Sequence, residues 1–149
     1  MQEKIIIVDF GSQYTQLIGR RIRELNVYSE IHPYNNLPEF GEDVRGIILS
    51  GSPFSVLDQK APEYGFGLKG KLPLLGVCYG AQLMSHQFGG SVMPSEIREY
   101  GRANLDFVDN NSVLMNGIPT GSQVWMSHGD TIQSVPDTYS IIASTNRIS

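Results

Sequence analysis

The chain has 149 residues, of which 40% are hydrophobic and 17% charged, with a formal net charge of −4. That length and apolar content suit one domain with a real core, and the charge excludes the broad basic footprint of nucleic-acid binding. A lone cysteine, Cys78, excludes an internal disulfide framework and fits a reducing compartment, and no apolar run approaches the roughly 20 residues that span a bilayer.

Met1-Gln2-Glu3-Lys4 leads straight into a strand-like run with no secretory leader. The expectation is a soluble, cytoplasmic protein without a membrane partner. Lys4–Phe10 is a continuous β-branched run, as in a strand buried on both faces. Asp9-Phe10-Gly11-Ser12 breaks it, and Ser12 is placed to cap a helix. Tyr14, Leu17, Ile18, Arg21, Ile22 and Leu25 then recur at helical spacing, with Asn26 as the stop. A weaker strand is predicted over Tyr28–Tyr34, a polar connection over Asn35–Arg45 and a short buried strand over Gly46–Ser50, closed by Gly51-Ser52-Pro53. Pro62, Gly65, Gly67 and Gly70 predict loops over residues 54–71. Pro73–Val77 reads as a fourth strand and Tyr79–Phe88 as a helix ended by Gly89-Gly90.

The texture then changes. Ser91–Asp109 alternates in part, and Gln123–Met126 and Tyr139–Ile142 read as further strands. Strand–helix alternation in the first half predicts a parallel sheet. The expected fold class is α/β: a doubly wound, mostly parallel central sheet with helices on both faces, plus antiparallel or mixed strands in the second half. One domain is expected over residues 1–149.

Cys78 follows the apolar run Leu72-Pro73-Leu74-Leu75 and sits inside Gly76-Val77-Cys78-Tyr79-Gly80. Glycines two before and two after a nucleophile mark an elbow, in which a strand turns sharply into a helix and presents the side chain above the sheet. The helix N-terminus would favour thiolate there. A buried structural cysteine is the alternative. In a doubly wound sheet, ligands bind outside the carboxyl ends of the strands. Those ends carry Asp9-Phe10-Gly11, Ser50-Gly51-Ser52-Pro53 and Cys78. Acyl chemistry at the thiol needs backbone N–H donors for a developing oxyanion; Tyr79 and either Gly51 or Ser52 are the candidates.

Three histidines are available as a base. His86 lies eight residues beyond Cys78 on the same helix, about 12 Å along its axis, and reads as a surface or packing residue. His32, before Pro33, shows no partner in the sequence. His128 sits on the polar stretch Trp125-Met126-Ser127-His128-Gly129-Asp130, expected to be a loop after a strand, where Asp130 is placed to orient it. On the residues alone, His128 is the candidate base. No metal site is predicted.

Gly76-Val77-Cys78-Tyr79-Gly80-Ala81-Gln82 resembles the glutamine-site motif of the class I glutamine amidotransferases. Val8-Asp9-Phe10-Gly11-Ser12-Gln13-Tyr14 and Trp125–Asp130 are similar to the branch found at the N-terminus of GMP synthases. The resemblance runs over essentially the whole chain. It implies that Cys78 attacks the carboxamide of glutamine, releases ammonia and forms a glutamyl thioester that water hydrolyses. The N–H groups of Tyr79 and Ser52, with Gly51 beside them, would form the oxyanion hole. Gln82 would contact substrate, and Ser127, His128, Gly129 and Asp130 would belong to the substrate-binding loop rather than supply the base. No cofactor is implied for this domain. The ammonia would pass to a synthetase domain, in the same polypeptide or a separate subunit, that uses ATP and Mg²⁺ to aminate XMP to GMP.

Two departures stand out. The family pattern Leu-Ser-Gly-Gly-Pro appears here as Leu49-Ser50-Gly51-Ser52-Pro53, and backbone donation survives the serine if the local φ/ψ suits a Cβ. The family's His-Pro-Glu segment, which carries the base and its orienting acid, does not occur before Ser149, nor does the ATP loop of the synthetase domain. The expectation is a C-terminally truncated domain that alone hydrolyses glutamine poorly or not at all. The competing readings are an amidotransferase feeding another synthase, a cysteine hydrolase with the same elbow, and a regulatory module that keeps the fold without the chemistry.

Overall fold

A computed structural model of the chain describes residues 2–52 and 72–145, with backbone alone at 95–100 and 126–131. The expectation of loops over 54–71, and Pro53 with it, lies outside the described residues. The chain divides into two compact units, Met1–Met84 and Ser85–Ser149.

The first unit is a parallel sheet of β1 (Lys4–Asp9), β2 (Tyr28–Pro33), β3 (Val44–Leu49) and β4 (Leu74–Gly76), in the order β2-β1-β3-β4. Helix α1 (Thr15–Glu24) follows β1, and α2 (Tyr79–Gln87) follows β4. Ile6, Ile7 and Val8 are fully buried, as the β-branched run predicts for a central strand. Gly19 lets α1 lie close on the sheet: a Cβ there would fall 3.3 Å from the Ile31 side chain and 3.6 Å from that of Ile7. Ser29 adds a hydrogen bond from its hydroxyl to the Gly19 carbonyl at 3.4 Å.

Helix α1 begins later than Ser12 suggests. Its N-cap position is Tyr14, with no side-chain cap. Ser12 instead forms a turn just upstream, its hydroxyl accepting the Tyr14 N–H at 3.0 Å. Asn26 ends the helix with a left-handed φ of 63°, a conformation Asn tolerates better than most residues. β3 starts at Val44 rather than Gly46 because Val44 pairs with Lys4 before a bulge in the register.

The order β2-β1-β3 matters for function. The chain leaves β1, adds β2 on one side, then crosses to add β3 on the other. The carboxyl ends of β1 and β3 therefore flank a topological switch point, where such sheets bind ligands.

The second unit is an antiparallel sheet in the order β6-β5-β7, built from β5 (Ser91–Val108), β6 (Gln123–Ser134) and β7 (Ala143–Thr145). Two expectations are corrected here. Ser127–Asp130 are not a loop after a strand; they lie inside β6, with Ser127 opposite Tyr100 and His128 opposite Glu99. The register then slips between Pro94 and Glu99, with Asp130 opposite Pro94, so the polar residues sit at an irregularity of a strand. Tyr139–Ile142 is not a strand; the third strand is Ala143–Thr145. Tyr139 instead closes a turn onto the Pro136 carbonyl at 2.9 Å and sets its ring 6.5 Å from that of Phe88.

Candidate active site

The strand-to-helix junction at Cys78 has the geometry the glycine spacing predicts. β4 ends at Gly76, α2 starts at Tyr79, and Cys78 between them has a φ of 53°. A residue with a Cβ rarely adopts that left-handed conformation, and such strain gathers at functional positions. Both glycines are forced by close approach. A Cβ on Gly76 would lie 2.7 Å from the Ala81 backbone; on Gly80 it would run into the Leu49 carbonyl and lie 2.6 Å from the Leu49 side chain. The elbow is pressed against the end of β3, and neither contact leaves room for a methyl group.

Cys78 is exposed, not a structural core residue. Protein on its inner side still desolvates the sulfur and pushes the thiol's pKa up from its ordinary value. Burial thus opposes the pull towards thiolate expected from the helix N-terminus.

The Ser50–Ser52 corner lies beside the thiol. A Cβ placed on Gly51 would be 3.6 Å from Cys78 Cβ, 3.3 Å from Ser12 Oγ and 3.5 Å from Ser12 Cβ. The missing side chain of Gly51 thus lets the loop after β1 and the elbow close on the same corner. Backbone bonds fasten the three strand ends together: Ser50 N–H to Val8 O at 3.1 Å, Val77 N–H to Leu49 O at 2.9 Å and Gly80 N–H to Ser50 O at 3.0 Å. Tyr79, next after Cys78, is buried with its ring against Phe10 at 5.4 Å, and Phe10 stacks on Tyr34 at 5.7 Å.

The remaining predicted residues divide. Gln82 donates its N–H to Cys78 O at 3.1 Å, one turn into α2. Ser127, His128, Gly129 and Asp130 belong to the second unit, within β6. His86 is exposed, as expected of a surface residue. His32 does have a partner: its Nε2 lies 3.1 Å from Glu30 Oε1. The predicted strand over Tyr28–Tyr34 already put Glu30 and His32 on one face, so the i, i+2 spacing was the signal that could have found the pair. Also missed was Ser12 at the Gly51 corner: it read as a helix cap, and no sequence signal marked it as part of that corner, whereas Ser50 stood among the strand ends expected to converge. Among the described residues no cluster of three or more His, Cys, Asp or Glu is placed to hold a metal.

Residues 6–149 match the model of the family "Glutamine amidotransferase class-I". The chain belongs to the class I glutamine amidotransferases. This amidotransferase is 59% identical over 149 residues to the GMP synthase [glutamine-hydrolyzing] of Cytophaga hutchinsonii and 58% identical to that of Porphyromonas gingivalis, in each case covering 99% of the chain and 29% of the relative. It spans well under a third of those relatives' length. Among solved structures, a protein from Thermoplasma acidophilum described as a GMP synthase subunit matches with a TM-score of 0.82 at 30% identity, covering 100% of the chain and 76% of that structure. A glutamine amidotransferase from Thermotoga maritima shares the fold, with a TM-score of 0.77 at 20% identity over 100% of the chain and 70% of that structure. The mixed α/β fold with a parallel central sheet is the one these neighbours have. No helix among the described residues is long and apolar enough to cross a membrane.

Proposed function

We propose that this chain is the glutamine-hydrolysing part of a cytoplasmic GMP synthase, releasing ammonia for the amination of XMP to GMP. The observation that carries the reading is Cys78 at φ 53°, exposed on an elbow and set against the Gly51 corner, in a chain 59% identical to a relative named for that activity. The sulfur adds to the carboxamide carbon of glutamine and its proton passes to a base. The carbonyl π electrons move onto oxygen, giving an oxyanion. N–H groups of Tyr79 and of the Gly51–Ser52 segment receive that charge, from either side of the corner. Collapse breaks the C–N bond; the nitrogen takes up a proton and leaves as ammonia. Water then cleaves the glutamyl thioester, returning the thiol and glutamate. On the family resemblance, Gln82, one turn into α2, contacts the substrate, and Ser127, His128 and Gly129, with Asp130 beside them, take its amino and carboxylate ends. ATP and Mg²⁺ serve the synthetase partner, and no residue of this chain is assigned to them.

The test is alkylation by an electrophilic glutamine analogue, with XMP amination assayed in the full-length gene product. Modification at Cys78, protected by glutamine and absent in Cys78→Ala, is the expected result. A thiol that reacts equally with analogues of other amino acids would overturn the reading in favour of a general cysteine hydrolase.

A further inference from the structure

We propose that Ser50 is a positioning residue for the oxyanion-binding peptide between Gly51 and Ser52. The inference rests on the amidotransferase reading above, in which Ser52 N–H faces the oxyanion. Ser50 is fully buried at the end of β3, and all its polar atoms are engaged. Its N–H donates to Val8 O at 3.1 Å and its carbonyl accepts the Gly80 N–H at 3.0 Å. Its hydroxyl oxygen accepts the Phe10 N–H at 3.2 Å, which leaves the hydroxyl proton to donate to Gly51 O at 3.3 Å. One side chain therefore links the loop after β1 to the peptide beside the nucleophile.

The bond to the Gly51 carbonyl has the functional consequence. A peptide group is planar and trans, so the Gly51 C=O and the Ser52 N–H point to opposite sides of it. Fixing the oxygen fixes the hydrogen. Such a restraint is needed because glycine, lacking a Cβ, restricts the rotation of its own peptide least. The Ser50 hydroxyl supplies from the buried side the rigidity that the open side lacks, and it does so without touching substrate. Electrostatic stabilisation of an oxyanion depends on donors already aimed where the charge develops.

Two reactions of the same sulfur separate this role from plain structural support. With an activated γ-glutamyl aryl ester, the Cys78 thiolate bonds to the ester carbon and displaces aryloxide, leaving a glutamyl thioester; an oxyanion forms on the way. With iodoacetamide, the thiolate displaces iodide at a saturated carbon and no oxyanion forms. Ser50→Ala is expected to lower the saturating acylation rate by about ten- to a hundredfold, with little change in half-saturation. Its iodoacetamide rate should stay within about twofold of the unsubstituted chain. Equal losses in both reactions, or undiminished acylation, would overturn the proposal. If Ser50→Ala does not fold, Ser50→Thr and Ser50→Val make the comparison at matched volume: acylation should survive with the hydroxyl and fall without it, and equal rates would sink the idea. With all of these reactions run in the full-length gene product, an unsubstituted protein that reacts with iodoacetamide at Cys78 but never with the γ-glutamyl ester overturns the amidotransferase reading itself, and this inference with it.

Discussion

Gly80 donates its N–H to the carbonyl oxygen of Ser50 at 3.0 Å and stands against the backbone of Leu49 with no room for a side chain. The first turn of α2 is thereby fastened to the end of β3, which holds Cys78 beside the Gly51 corner. Gly80→Ala forces that contact apart. The expected cost is about 1–3 kcal/mol of stability, typical of overpacking against a wall that cannot yield, and it is read from urea midpoints. Loss of analogue labelling at Cys78 should accompany it, because the elbow and the Gly51 corner separate.

The left-handed φ of Cys78 stores strain that function retains. Cys78→Gly removes the Cβ that causes it, whereas Cys78→Ala keeps it. Both variants lose glutamine chemistry. Cys78→Gly should nonetheless be the more stable of the two by about 0.5–1 kcal/mol, the steric relief exceeding the entropy glycine adds to the unfolded chain. Paired denaturant titrations measure this, and an alanine variant as stable as the glycine variant would show that the elbow is unstrained.

The close approach at Gly51 makes a coupled prediction. A Cβ there meets Ser12 Oγ at 3.3 Å, tighter than an ordinary contact. Gly51→Ala should slow analogue labelling of Cys78. Adding Ser12→Ala opens the same space and should restore part of the rate. A double-mutant cycle reads the coupling, and strictly additive effects would mean that the two segments do not share the corner.

Burial pushes the Cys78 thiol up from its ordinary pKa. The rate of iodoacetamide alkylation should therefore still climb with pH above the range where free cysteine has levelled off. A plateau below neutrality would show that a cationic partner holds the sulfur as thiolate.

Glu30 sits at the centre of a network on the edge strand β2. It accepts from Tyr28 Oη at 2.9 Å, pairs with Lys4 Nζ at 3.3 Å and lies 3.1 Å from His32 Nε2. Hydrogen bonds from His32 and Tyr28, followed by the Lys4 contact, hold its pKa at about 2, against an ordinary 4.5. The folded value is depressed, so the stabilisation is complete above pH 4.5 and is lost as pH falls towards 2. Glu30→Gln should cost on the order of 1 kcal/mol at neutral pH, since the network is partly exposed to solvent. That deficit should shrink from about pH 4.5 downwards, as measured by denaturant unfolding across the acid range.

Much of this architecture is written locally. The run Ile5–Val8 specifies a central strand because four consecutive β-branched residues suit burial on both faces. Gly76-Val77-Cys78-Tyr79-Gly80 specifies the elbow because only glycine fits where strand and helix backbones meet. The second half was less legible. Ser127–Asp130 look like a loop because they are short and polar, yet the ladder with β5 draws them into a strand; long-range pairing outweighs local propensity. Tyr139–Ile142 has strand composition but is taken up by a turn, and β7 forms just after it.

The sequence by itself determined the sheet's first half, the elbow at Cys78 and the glycines around it, since each follows from sterics within a few residues of chain. Only the tertiary structure decided that Ser12 joins the Gly51 corner beside Cys78, that the Ser50 hydroxyl ties that corner to Phe10, and that Lys4 reaches Glu30. Those contacts join segments far apart in sequence, and strand order and register, which no local pattern encodes, set which of them become neighbours.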